Sequence, residues 1–417
     1  MSRPKRSRAP FAPALIFVGT ALALLGSFYV YDSIGPVAQL LSRQLQFSDT
    51  QIGLLNAVYS LPNIFMGLVG GILVDRFGAR VVVLWTAATC FAGAVLTAIG
   101  VSFWAMALGR LLFGLGAETM MVAIIVALAQ WFAGRYFALL LAINLSLARL
   151  GSYLADRSPS FARPLYERGW QPPLWLAAGV AGLAFLGAIV YWLVDKRESE
   201  HRPLSIAAAA DRIHWRNLLN FRHEYWYITG LCVTFYSVIF PFRSTFAIKY
   251  FQEVRGLTLE DASRMNSYVF MAAIVAMPAF GALADRFGRH ALLMMLGSLP
   301  LSLVFPLVGY ANVNLWIPTA LLGLSFSLVP AVLWPAVAHY VSPEQRGTAY
   351  GLMGMLQNVG LTLANVLAGY LNDSNHASAA HPGGYAPMMW LFGLLGVMGF
   401  LFATLLKWHE RSAQHSQ

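Results

Sequence analysis

Charge is what this 417-residue chain has least of: Asp, Glu, Lys and Arg together make up 11% of it. Soluble domains carry roughly 25% charged residues, so the chain lacks the polar surface needed to live in water. Cysteine is nearly absent too. Cys90 and Cys232 both fall inside apolar segments, which excludes a disulfide framework and reads as two small core residues. The marks of an enzyme are missing as well: there is no H-E-x-x-H, no metal-spaced His/Cys cluster and no nucleophile elbow. His376 and His381 stand beside Gly383 and Gly384 in an outer loop and read as solvated. No enzymatic activity, metal or cofactor is expected. Nor is a signal peptide expected: the basic MSRPKRSR start runs into an apolar span too long for a signal core, without a small-residue cleavage site.

What the chain has is apolar length. Hydrophobic residues make up 58% of it and mean hydropathy is +0.61. A helix needs about 20 apolar residues to cross a bilayer, and only helices or closed barrels can do so. Apolar windows predict spans at 11–41, 48–75, 80–100, 103–131, 135–156 and 172–195, then at 223–250, 259–284, 289–309, 313–341, 344–371 and 385–408. The fold class is therefore an all-α membrane protein of twelve transmembrane helices. The formal charge of +10 does not point to nucleic acid, because Lys and Arg gather in loops on one side. The amino terminus, the central stretch, the carboxyl end and the loops holding Arg76, Arg80, Arg135, Arg286, Arg289 and Arg346 share that side. By the positive-inside bias both termini are expected in the cytoplasm.

The chain also repeats itself. After the second span it reads Gly71-Ile-Leu-Val-Asp75-Arg76-Phe-Gly78-Ala-Arg80, and after the eighth Gly281-Ala-Leu-Ala-Asp285-Arg286-Phe-Gly288-Arg289. The offset, 281 − 71 = 210, is close to half the length, so a six-helix unit has been duplicated. The expected division is residues 1–195, a charged linker at 196–222, and residues 223–417. In each copy the first glycine would let a neighbouring helix come close. The aspartate sits at a helix end, where it can meet arginines or a helix amino end, and the second glycine makes a tight turn. Such a loop would act as a latch between helices.

These two loops resemble the signature loop of the major facilitator superfamily, and Gly109-Arg110-x3-Gly114-x-Gly116 is similar to its helix-4 arginine motif. The resemblance implies two pseudo-symmetric six-helix bundles that rock about a central cavity. Narrower matches are Gly26-Ser-Phe-Tyr-Val-Tyr31-Asp32, the run from Gly109 to Glu118, Ser146-Leu-Ala-Arg149-Leu-Gly151-Ser152, Leu333-Trp334-Pro335-Ala-Val-Ala338, and the run from Gly347 to Asn358. Together they resemble the lysosomal dipeptide-uniporter branch. The basic amino terminus shows no lysosomal sorting signal, so the chain looks like a bacterial relative in the cell inner membrane. The animal branch works with a glycosylated accessory subunit; a bacterial protein needs none, and a monomer in the bilayer is expected.

Ionisable residues inside spans are costly and are functional candidates by default. Glu118 follows Arg110 by eight residues, about two turns on one helix face. Arg149 sits midway along the fifth span. One reading is a clamp in which Glu118 holds a substrate ammonium and Arg149 a carboxylate, and the resemblance implies the same pair; the other is a static Glu118–Arg149 ion pair knitting the helices. Arg110, grouped with the latch residues, reads as structural, hydrogen-bonding backbone at the start of the fourth helix, with direct substrate contact as the alternative. Arg243 departs from the animal branch: it could hold a carboxylate or snorkel outward with Lys249, with Pro241 kinking the helix beside it. Tyr29, Tyr31, Tyr59, Tyr236, Asn266, Trp334, Gln357 and Asn358 complete the candidate substrate cavity, and Asn144 is a candidate support for Arg149.

The function expected is alternating-access transport of small zwitterions, dipeptides or amino-acid-like compounds, by uniport or with proton linkage through Glu118. Drug–proton antiport would want an acidic residue deep in the first span and a Gly-Pro motif in the fifth. That motif is absent, and Asp32 is placed near the outer end. Proton-coupled peptide symport is disfavoured by the absence of an E-x-x-E-R start. Organic-anion exchange stays open through Arg149 plus Arg243. A non-transporting receptor or scaffold would want soluble appendages or degenerate latch loops, and the chain has neither.

Overall fold

The computed structural model describes residues 11–132, 137–199, 221–310, 313–342 and 345–415. The first half runs α1 (Ala12–Asp32), α2 (Ile34–Leu45), α3 (Asp49–Phe77), α4 (Ala79–Ile99), α5 (Phe103–Trp131), α6 (Phe137–Phe161), the short α7 (Arg163–Glu167) and α8 (Gln171–Ser199). The second runs α9 (His223–Phe240), a π-turn at Pro241–Phe246, α10 (Ala247–Arg255), α11 (Leu259–Phe287), α12 (His290–Tyr310), α13 (Trp316–Tyr340), α14 (Arg346–Ser374) and α15 (Ala386–His415). Among the described residues, eleven segments are long and apolar enough to cross a membrane. Here α1–α2 and α9–α10 each count as one span, and α3, taken across its bend, is the twelfth.

Helix starts follow local chemistry. Ser48 caps α3 in a reciprocal capping box with Gln51, Ser102 caps α5 and Thr258 caps α11. Against the expected windows, several helices run a turn further. The fifth span reaches Phe161, and α8 takes in Lys196 and Arg197, which the linker was expected to hold. Residues 200–220 of that linker lie outside the described residues, as do Arg3, Lys5, Arg6, Arg8 and Arg135.

Helix pairing shows the duplication in three dimensions. In the first half α1 packs on α6 and α8, α4 on α5 and α8, and α3 on α5; in the second, α9 packs on α14 and α15, α12 on α13 and α15, and α11 on α13. Each contact has its counterpart six spans later. The halves meet through α3 against α14 and α6 against α11, two contacts that the same pseudo-two-fold exchanges.

Those four interface helices are packed unequally along their length. Toward the side away from the chain termini they are buried; toward the termini side, from about residues 61 in α3 and 275 in α11, exposure rises. Small residues let helices meet in lipid, where no hydrophobic force drives them together. A Cβ added to Gly369 in α14 would run into the backbone of Asp49 in α3, whereas one added to Gly71 in α3 or Gly281 in α11 would meet nothing within 4 Å. The two bundles are zipped on the far side and splayed on the termini side.

Candidate functional site

The zip is polar. The π-turn at Pro241–Phe246 follows from Pro241, which lacks the N–H an α-helix would need. It carries Arg243 to the boundary between the halves. There its guanidinium donates to Asp32 at 2.8 Å and to Asp156, from α1 and α6, and to Ser244 at 3.0 Å. Asn266 of α11 donates to Asp156 and to the Arg243 carbonyl, both at 3.1 Å. Arg243 is 0% exposed and each aspartate 1%. Arg243 thus neither snorkels nor stands ready for a substrate carboxylate, and Asn266 is likewise taken up. Two buried carboxylates outcompete both alternatives, because a buried guanidinium must be paired. Lys249 does not snorkel either: it is buried, paired with Asp49 and 3.2 Å from the Ser42 hydroxyl. Asp373 at the end of α14 accepts from the backbone N–H groups of Asp49 and Thr50, each at 2.8 Å, capping α3 across the interface.

Arg110 has a different task. Pro36 cannot donate to the Asp32 carbonyl, and the helix breaks between α1 and α2 at Ser33. Arg110 donates to two carbonyls beside that break, Val30 at 3.0 Å and Tyr31 at 3.2 Å, and across to α3, to the Leu55 carbonyl at 3.4 Å and the Asn56 side chain. Asn56 in turn donates to Thr245 at 2.7 Å, and Thr245 to Asn365 at 2.8 Å. This chain crosses from one half to the other on the far side. Arg110 thus bonds backbone as expected, though it does so to α1 and α3 and not within the repeated loops with which it was grouped.

Below the zip lie Glu118 and Arg149, both half-buried. No ion pair joins them, so the static-pair alternative is not what this structure holds, and among the described residues neither has a hydrogen-bond or ion-pair partner. Their helices, α5 and α6, barely touch; each packs mainly on others. Aromatic rings connect the two. Tyr59, in electrostatic reach of Glu118, stands 4.7 Å from Tyr31 between ring centres; Tyr31 is 6.0 Å from Phe240, and Phe240 5.8 Å from Tyr236. Tyr236 accepts from Trp334 Nε1 at 2.9 Å, and Trp334 stacks on Tyr350 at 6.2 Å. Phe240 also lies 5.8 Å from the Arg149 guanidinium carbon. The side chain of Gln357 opens near this wall, accepting from Cys232 at 3.5 Å.

Other candidates fall elsewhere. Tyr29 lines a small apolar crevice between α1, α6 and α8, about 200 Å³ in volume, with Leu25, Leu154 and Val180. Asn358 donates back to Gly354 in its own helix at 3.0 Å, and Asn144 to Thr20 at 3.3 Å rather than to Arg149. In the repeated loops Gly78 and Gly288 have φ of +81° and +60°, which favours glycine. Asp75, Arg76, Asp285 and Arg286 are exposed, and among the described residues none is in an ion pair; Arg80 reaches Asp195 at 3.6 Å. The close approach expected at Gly71 and Gly281 is not made, because the bundles are splayed at this end.

Sequence reasoning missed Asp156, and placed Asp32 at the periphery. The signal for Asp156 was present: an aspartate in a span is a candidate by default, but the window that closed at residue 156 put it at the membrane edge. With α6 running to Phe161 it lies well inside.

Comparison with known proteins follows the same lines. The profile described as Major Facilitator Superfamily matches residues 16–277 and 245–417. The human protein named lysosomal dipeptide transporter MFSD1 is 30% identical over 361 residues, covering 84% of this chain and 77% of its own length. The hexuronate transporter of Bacillus subtilis (strain 168) is 22% identical over 385 residues, covering 87% and 88%. Among solved structures, the nucleoside transporter NupG matches with a TM-score of 0.72 at 15% identity, covering 94% of this chain and 98% of its own, a likeness of fold alone.

Proposed function

This chain belongs to the Major Facilitator Superfamily and is a multi-pass membrane transporter, and from that premise we propose that it carries small zwitterions, dipeptides foremost, by alternating access. One observation carries the reading: Glu118 and Arg149 are opposite in charge, half-buried in the membrane interior, and without a polar partner among the described residues. Each such charge costs several kcal/mol where it stands. A dipeptide answers both at once, its ammonium on Glu118 and its carboxylate on Arg149, where a guanidinium can donate two parallel hydrogen bonds. The aromatic wall of Tyr59, Tyr31, Tyr236 and Trp334, with Gln357, supplies faces for the peptide between its ends.

The name borne by the 30%-identical human protein supports this substrate class. The hexuronate relative raises an organic acid instead, but a lone carboxylate would satisfy Arg149 and leave Glu118 unanswered. Arg243, the second arginine that reading wanted, is engaged by Asp32 and Asp156. In this reading the protein sits as a monomer in a bacterial inner membrane. In the same reading the termini side is cytoplasmic, so the splayed side faces the cytoplasm and the zipped side faces outward.

Ligand-induced thermal stabilisation of the purified protein tests the proposal. Dipeptides should stabilise the wild type, and Glu118→Gln or Arg149→Ala should abolish the effect. If neither substitution weakens any peptide, the clamp is wrong. Dipeptide uptake into liposomes with and without an imposed proton gradient separates uniport from proton linkage.

A further inference from the structure

Among the described residues Arg149 has no hydrogen-bond or ion-pair partner, yet it is not bare. Its guanidinium carbon lies 5.0 Å from the centre of the Phe28 ring, 5.3 Å from Phe326, and 5.8 Å from both Phe240 and Phe270. Phe28 shares its half of the protein; the other three come from α9, α11 and α13 of the opposite half. Those three also brace one another. Phe326 meets Phe240 at 5.9 Å and Phe270 at 5.4 Å, both edge-on, and all three are buried. Phe270 is fixed further by Arg243, whose guanidinium carbon stands 3.5 Å from its centre. Leucine or isoleucine would fill such space as well; a ring adds a negatively polarised face toward a cation.

That difference matters in a carrier that must come back without cargo. Between its two open states the site is shut on both sides, and every charge within it has to be compensated from inside. A carboxylic acid has a neutral form, but a guanidinium does not. Compensation of Arg149 therefore decides whether the carrier can change sides unloaded. When loaded, the substrate carboxylate does this. When unloaded, four rings surround the guanidinium, three of them on the bundle that closes over it.

We propose that the cage of Phe240, Phe270 and Phe326 stands in for the substrate carboxylate on Arg149 and so lets the unloaded carrier reorient, making this protein a net transporter rather than an obligate exchanger. The proposal rests on the reading that Arg149 takes the substrate carboxylate.

Proteoliposomes loaded with radiolabelled alanyl-alanine test it. Efflux into plain buffer needs unloaded return at each turnover; efflux into excess unlabelled alanyl-alanine does not. The ratio of the two rates, taken on the same vesicles, cancels differences in the amount of active protein. Wild type should show both. Phe326→Leu and Phe240→Leu should each lower the ratio of net efflux to exchange roughly tenfold, or ~1.4 kcal/mol on the return step. Phe240→Tyr, which keeps the ring, should leave the ratio in place. Exchange without net efflux in the wild type overturns the inference, as does a proportional fall of both rates in the leucine variants. Absence of any dipeptide flux in the wild type overturns the substrate reading, and this inference with it.

Discussion

Deleting one end of the ligand and one residue of the site in the same experiment asks whether Arg149 reads a carboxylate. Arg149 has four aromatic neighbours and, among the described residues, no ion-pair partner, so a peptide carboxylate would be its direct ionic partner there. Hydrogen bonds to charged groups contribute about 1.5–3 kcal/mol each, which corresponds to roughly 10- to 150-fold in affinity. Wild-type protein should therefore bind alanyl-alanine at least about tenfold more tightly than alanyl-alanine amide. Arg149→Gln, which removes the charge and keeps an amide, should weaken alanyl-alanine by a similar factor. It should discriminate little between acid and amide, because each change removes the same interaction and the two do not add. The mirror experiment pairs Glu118→Gln with N-acetyl-alanyl-alanine. Calorimetry or ligand-induced shifts in melting temperature give the four affinities of each cycle. If Arg149→Gln prefers the acid over the amide as strongly as wild type does, Arg149 does not read the carboxylate and the reasoning fails.

Further consequences concern the rocking of the bundles. Arg243→Met leaves Asp32 and Asp156 buried without their cation; breaking a buried pair in this way costs about 3–5 kcal/mol, so the far side should open more often. A cysteine placed at Ser42 should then react faster with an impermeant thiol reagent, and an unchanged rate would remove Arg243 from the lock. Gly71→Leu meets no neighbour in this arrangement, so its melting temperature should stay near wild type while transport is lost, because α3 can no longer close on the termini side; normal transport would sink the latch reading. Arg110→Lys loses the planar fork that serves three backbone carbonyls, and should lower the melting temperature at any ligand concentration. A lysine variant as stable as wild type would show that those carbonyls do not need it.

Much of the architecture was legible before any coordinates. Hydropathy placed all twelve spans, and the two Asp-Arg-Phe-Gly loops at 75 and 285 gave away the duplication. The site was legible in part. Glu118 and Arg149 stood out as charges in apolar surroundings, and among the described residues neither has a hydrogen-bond or ion-pair partner. Tyr29 and Asn358 were chosen by residue type and span, and types do not say which way a helix face is turned. Asp156 was hidden by a helix boundary a few residues short, and Arg243 by the identity of its partners.

What the sequence determined by itself is what a single helix can settle alone. In lipid each span must satisfy its own backbone, so length, apolarity and a kink such as that at Pro241 are local properties that can be read locally. Which charges are neutralised is not local. Arg149 and Arg243 look alike in the sequence, each an arginine in an apolar run. Only the packing of α1 and α6 against the π-turn brings Asp32 and Asp156 to one of them, across 211 and 87 residues of chain, and leaves the other to aromatic rings and, in the reading proposed here, to the substrate.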